Sequence, residues 1–241
     1  MFQNTISIYP WLNFPQISKK CDLAEVIMKF CKKECANLKD GDILCIASKI
    51  ISKSQGLFVD LNTIKPSGLA LKIHHEVPRK DPRIIQLIIN QTEDLSGKRL
   101  QISPNFIGGW LTNGLFLTSA GVDKIGEDMA IVLPNNCDEI AKQIAEKIYE
   151  KMGKRVAIVI TDSDGRIDKK GATQIAVGLY GLNGLRKTQS NGKINVETIC
   201  DMLAASAGLL MGQRGNMVPI VTICGFEYEF DRDATVEDTV N

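Results

Sequence analysis

No apolar run in this chain approaches the roughly 20 residues that a membrane-spanning helix requires. The opening stretch MFQNTISIYPWLNFPQ is broken by Pro10 and Pro15 and has no basic start, so it does not read as a secretory signal. The expectation is a cytoplasmic protein with no membrane partner. Charge of one sign is missing as well: 29 basic and 28 acidic side chains leave a net charge of +1, which gives no footing for nucleic acid or an anionic surface. The chain has only two histidines, adjacent at 74 and 75, and its seven cysteines, at 21, 31, 35, 45, 137, 200 and 224, include no C-x-x-C pair. These spacings do not supply the ligands of a tetrahedral zinc site, and reduced thiols in or near a core are expected. A phosphate-binding loop is also absent. The stretch GLYGLNGLRKT has no Gly-Lys-Ser/Thr after a glycine five residues earlier, and its glycine spacing fails the dinucleotide fingerprint. Its glycines read as turn formers, and any nucleotide would need another device.

What is present is a balanced globular composition, 44% hydrophobic and 24% charged over 241 residues, enough for a substantial core in one large domain or two small ones. Residues 22–37 read as a helix capped by Asp22, with Leu23, Val26, Ile27, Phe30 and Cys31 on one face. Gly41-Asp42 turn into the apolar run ILCIA, a buried strand, and Asp81-Pro82 open a second helix with Ile84, Ile85, Leu87 and Ile88 inward. Short strands follow around 99–103, 114–118 and 129–133, then an amphipathic helix over 137–152 that Gly153 ends. The strand VAIVI, the strand-like TQIAVGLY, a helix over 195–211 and the strand VPIVTIC complete the order. The fold class expected is α+β, a mixed α/β arrangement, with residues 1–241 as a single unit because no low-complexity linker divides them. The polar stretch 184–194 reads as a mobile loop.

Four segments could carry chemistry. In VAIVITDSDGR an apolar strand delivers Asp162 and Ser163 to its carboxyl end, where an acid and a hydroxyl can hold a hard divalent cation. The ordinary alternative is a turn. Asp123 in LTSAGVDKIG is a second displayed acid with the same alternative. Two carboxylates converging on one cation would neutralise phosphate charge in phosphoryl transfer. In ASKIISKSQG, Lys49 and Lys53 share a face if the segment stays extended, and they could pair with phosphates or form a solvated edge. In LLMGQRGN, Gln213 follows a long helix and can offer a carbonyl oxygen; a plain helix terminus is the competing reading.

Together, GDILCIASKIISKSQG, KDPRIIQLI, TSAGVD, VAIVITDSDGR with IAVGLYG, DMLAASAGLLMGQ and VPIVTICG resemble, in order and spacing, the coenzyme F420-0:γ-glutamyl ligase family. The resemblance implies a two-lobed fold with mixed sheets and a homodimer with the ligand cleft near its interface. It implies amide formation driven by GTP, in which an acceptor carboxylate is phosphorylated and L-glutamate displaces phosphate. Asp123 and Asp162 would be the catalytic pair and ligands of one metal, and Ser163 and Gln213 ligands of a second. Magnesium or manganese is the metal implied, with potassium as a further candidate. Nucleotide contacts carried over are Phe14, Pro15, Gln16, Ile17, Ser48, Lys49, Lys53, Met211, Gly212, Gln213 and Gly215. The chain departs from the pattern at Ser119, where the family often has asparagine, and at Ile125-Gly126, where it usually has Ser-Asn. It departs again at Ile167, Asp168 and Lys169 after Gly165-Arg166, which keep the family pattern, and in a shorter 184–194 stretch. Those changes fit the same reaction on a different acceptor, with F420-0 and a folate-type pterin both open. The alternative is a protein of this fold that binds nucleotide without turning it over.

Overall fold

The computed structural model describes residues 5–34, 37–213 and 218–241. The first half runs β1 (Ser7–Pro10), α1 (Leu23–Glu34), β2 (Ile43–Ala47), α2 (Ser48–Gln55), β3 (Phe58–Asp60), α3 (Gly68–Glu76), α4 (Pro82–Gln91), β4 (Leu100–Ser103) and β5 (Phe106–Trp110). The second half runs β6 (Phe116–Thr118), β7 (Val122–Lys124), β8 (Met129–Val132), α5 (Cys137–Met152), β9 (Ala157–Gly165), β10 (Ala172–Tyr180), β11 (Leu185–Ser190), β12 (Lys193–Thr198), α6 (Ile199–Met211) and β13 (Ile220–Cys224).

A five-stranded sheet in the order β1-β13-β2-β9-β10 forms the centre. Only β2 and β9 run parallel within it. Both strands are nearly continuous apolar sequence because both faces of the sheet are covered. Leu44, Ile46, Ile158 and Ile160 face the core built with α1, α4 and α5, while Ile43, Cys45, Ala157 and Val159 face the one built with α6. Two three-stranded sheets, β3-β8-β7 and β4-β5-β6, and the hairpin β11-β12 complete the strands described. The α+β expectation holds.

Local chemistry explains the helix ends. Asp22 accepts from the Glu25 N–H at the start of α1, Asp81 accepts from the Arg83 N–H at the start of α4 with Pro82 behind it, and Gly153 ends α5 at φ 65°. Three expectations need correction. The Lys49–Lys53 segment is the helix α2, not an extended run. The 184–194 stretch is not a loop but the hairpin β11-β12, whose Asn191-Gly192 turn has both φ angles positive, 51° and 75°, as a tight hairpin turn requires. The final helix starts at Ile199, and residues 195–198 belong to β12. The described cysteines are all free, four of them buried; Cys35 lies outside the described residues. Among the described residues no helix is long and apolar enough to cross a membrane.

Candidate active site

Because β2 and β9 are parallel with Ala47 opposite Thr161, their carboxyl ends open at the same edge of the sheet, the usual position of a ligand crevice. There β2 passes directly into α2 and β9 continues through Asp162. A cleft of about 340 Å³ lies between them. The Ser48 hydroxyl donates to Asp162 Oδ1 at 2.7 Å. Burial pushes the Asp162 carboxyl up to about 6, the Ser48 hydrogen bond opposes that rise, and the charge of Asp123 adds to it.

The start of α2 opens into this cleft with its backbone N–H groups. Its N-cap, Ala47, is extended and provides no side-chain cap, so the first-turn N–H groups have no capping oxygen from it and carry the positive end of the helix dipole. Ala47, Ser48, Lys49 and Ile50 all line the cleft, so an anion in it would face this helix end. Lys49 and Lys53 do share a face, for the reason that they are one helical turn apart; both line the cleft.

Asp123 arrives from a different part of the fold. It sits on the three-residue strand β7, paired opposite Ile131 of β8, after a turn in which Ser119, Ala120 and Gly121 have φ angles of 57°, 47° and 70°. Only glycine adopts that region without strain. Gly121 has a second reason to be glycine, since a Cβ there would lie 2.6 Å from the Leu133 Cβ. The turn brings Asp123 to the cleft, where its Oδ2 is 3.0 Å from Lys49 Nζ. Both side chains of that pair are more than 40% exposed, so its net strength is modest.

The remaining sequence candidates gather on the same cleft. Phe14, Pro15, Gln16 and Ile17 line it from the N-terminal segment, with Phe14 and Ile17 also seated in the core. Ser163 lines it beyond Asp162, and Met211, Gly212 and Gln213 close it from the end of α6. Gly215 lies outside the described residues. Two polar lining residues were not foreseen. Thr161 is buried and its hydroxyl meets the Met211 sulfur at 3.5 Å; Gln174 is the cross-strand partner of Ser163. Alternation along TQIAVGLY, set against TDSDGR, was the signal that could have found Gln174. The positions that depart from the family pattern lie elsewhere. Gly126, at φ 85°, is in the β7–β8 connection, where the Ile125 N–H bonds the Met129 carbonyl at 2.8 Å, and Ile167, Asp168 and Lys169 are exposed in the β9–β10 connection.

Among the described residues no three or more His, Cys, Asp or Glu side chains group as a metal site. The cleft instead offers two carboxylates with a hydroxyl and an amide oxygen. That donor set suits magnesium or manganese, which takes one or two carboxylates and completes its shell with phosphate and water oxygens. It does not suit zinc.

Comparison with known proteins agrees over most of the chain. Residues 12–225 match the F420-0:gamma-glutamyl ligase family. A coenzyme F420:L-glutamate ligase of Methanococcus maripaludis is 35% identical over 222 residues, 88% of this chain and 85% of the relative. The ligase of the same name from Methanopyrus kandleri is 32% identical over 220 residues, 88% and 83% of the two chains. That of Methanothermobacter thermautotrophicus is 31% identical over 232 residues, 92% and 90%. The matched span takes in both carboxylates, the start of α2 and the end of α6, so that the chain belongs to the F420-0:γ-glutamyl ligase family and is a ligase that forms amide bonds.

Proposed function

We propose that this enzyme joins L-glutamate to the carboxylate of F420-0, driven by GTP with magnesium or manganese. The reading rests on one observation: Asp123 and Asp162 reach the same cleft as the uncapped start of α2 and the amines of Lys49 and Lys53. A triphosphate lying along α2 would meet backbone N–H groups and both lysines. Asp123 and Asp162 would hold the cation, with Ser163 and Gln213 as neutral oxygen donors, and the cation would supply charge neutralisation on the phosphates. A carboxylate oxygen of the acceptor attacks the γ-phosphorus and GDP leaves. The amine of glutamate then attacks the acyl carbon, phosphate leaves, and the amine proton is lost. Phe14, Ile17 and Val218 give the cleft an apolar wall, which helps keep water from the acyl phosphate. The names of the relatives favour F420-0 over a folate-type acceptor.

A homodimer belongs to this reading. Met202 and Leu209 on α6 are 48% and 81% exposed, and Ile194 and Val196 on β12 are 69% and 54% exposed; exposed apolar side chains of this size are what a second copy would cover.

The test is mass spectrometry of F420-0 and folate-type acceptors incubated with GTP or ATP, magnesium or manganese, and glutamate. A mass gain of one or more glutamyl units on F420-0 is expected. Gain only on the pterin would reassign the acceptor. Tight GTP binding with no product on any acceptor would replace the ligase reading by nucleotide binding alone.

A further inference from the structure

The segment that carries Asp123 is held at both ends by two adjacent residues that do not line the cleft. Lys80 Nζ donates to the Ser119 hydroxyl at 2.6 Å, at the first of the three left-handed residues. Asp81 Oδ2 lies 3.4 Å from Lys124 Nζ, immediately after Asp123. The backbone of this pair is itself anchored. The Lys80 N–H bonds the Val77 carbonyl at 3.0 Å, the Lys80 carbonyl meets His74 Nδ1 at 2.9 Å, and Asp81 caps α4.

Lys80 is an unusual choice for a merely structural strut. Its ammonium is half-buried and has no carboxylate within ion-pair distance among the described residues. Burial, and then the charge of Arg79, lower its pKa, while Asp123 pulls it back up. An uncharged donor would brace a serine at smaller desolvation cost. What a charged one adds is a positive field at the carboxylate of Asp123, four residues beyond Ser119.

Resting on the cation reading above, the geometry points to Lys80 as a positioning residue for the reaction: through Ser119 it braces the strained 119–121 turn and holds Asp123 in the cleft, with Asp81 fixing the far end through Lys124. The turn would otherwise relax toward ordinary φ angles, because two of its three left-handed residues are not glycine. Relaxation would withdraw one of the two carboxylates and leave Asp162 to hold the cation alone.

The probe is Mn²⁺ with a non-hydrolysable GTP analogue, its binding followed by the loss of the free-ion electron paramagnetic resonance signal. Lys80→Met keeps the packed stem and removes the donor. Loss of a residue that orients a metal ligand weakens binding by on the order of 10-fold, and that is the result expected, with partial recovery in Lys80→Arg. Ser119→Ala should weaken binding in the same way, and the double variant should be no weaker than either single one, because both cut the same contact. If wild-type protein fails to bind the probe, the cation reading falls and this inference with it. If wild-type protein binds and Lys80→Met binds equally well, this inference alone is overturned. Multiplying losses in the double variant would also overturn it, since Lys80 and Ser119 would then act separately. A drop in thermal stability with unchanged affinity would show a structural strut and count against the proposal.

Discussion

Asp162 and Asp123 reach one cleft by opposite means. Asp162 lies near the end of β9, a strand whose first residues are fully buried and whose parallel partner β2 fixes its register. No β9 residue has a positive φ, and its only irregularity is the bulge on β10 opposite Ile160 and Thr161, so strand structure delivers the side chain. Asp123 lies on a three-residue strand paired with β8, behind three consecutive left-handed residues whose first is held by a side-chain hydrogen bond from Lys80. One half of the site follows from the fold. The other is a local conformation that neighbouring side chains must maintain, and each half should therefore fail differently when it is altered.

The largest effect is expected at Asp162. Asp162→Asn keeps an oxygen to accept from Ser48 and removes the negative charge, so glutamyl transfer should fall by on the order of a hundredfold or more. Stability should hold or rise slightly, because burial already disfavours the charged form. Turnover and melting temperature measured together check both halves. A variant that loses activity only because it unfolds would contradict the claim that this side is rigid scaffold.

Glycine substitutions sharpen the contrast. At Gly121 an added methyl meets Leu133 at 2.6 Å with φ at 70°, so Gly121→Ala should cost about 2 kcal/mol and lower activity with it. At Gly165, the last residue of β9, the nearest atom to an added methyl is the Thr118 hydroxyl at 3.4 Å and φ is not positive. Gly165→Ala should stay within about 0.5 kcal/mol of wild type. Denaturant unfolding of the pair gives the comparison, and equal losses would erase the distinction between the two halves.

The same division governs what could be read from the residues. The buried strand Ile43–Ala47 and the helix Cys137–Met152 match the expected spans, and the Asp81 cap is where it was expected. Long apolar periods and caps are local signals. Helix α2 is hidden in the sequence because Ala47 supplies no capping oxygen and Ser48, Lys49, Ser52, Lys53 and Ser54 blur the apolar face, although Gly56 marks its end at φ 77°. Helix α3 has a capping serine, Ser67, but only Ala70 and Ile73 are buried along it, too few to stand out. The hairpin carries an Asn-Gly turn signal, but its strands are exposed on both sides and show no alternation that would mark them as strands. Asp123 and Asp162 could be singled out by type and position relative to apolar strands. The contacts that hold Asp123 in place, Lys80 to Ser119 and Asp81 to Lys124, cross between elements far apart in sequence, and no local pattern encodes them.

The smallest effect, and the most selective for the Asp123 half, is a dependence on acid. The Arg83 hydrogen bonds hold the Asp81 carboxyl down at about 2, against the cost of its partial burial and with help from Lys124. A carboxylate whose pKa is lowered in the folded state binds protons less readily there than in the unfolded chain, so its contribution is present above the unfolded value near 4 and is lost as pH falls from about 4 toward about 2. Asp81→Asn keeps the α4 cap and removes the charge that grips Lys124 and Arg83. Wild-type protein should therefore melt a few degrees higher than Asp81→Asn at pH 6, on the order of what one capping-site charge contributes, and the gap should close as the pH approaches 2. Circular dichroism melts of both proteins across that range test it. No gap at pH 6 would mean that Asp81 acts through its cap alone, which asparagine keeps, and the far end of the Asp123 segment would then be held by something other than its ion pair with Lys124.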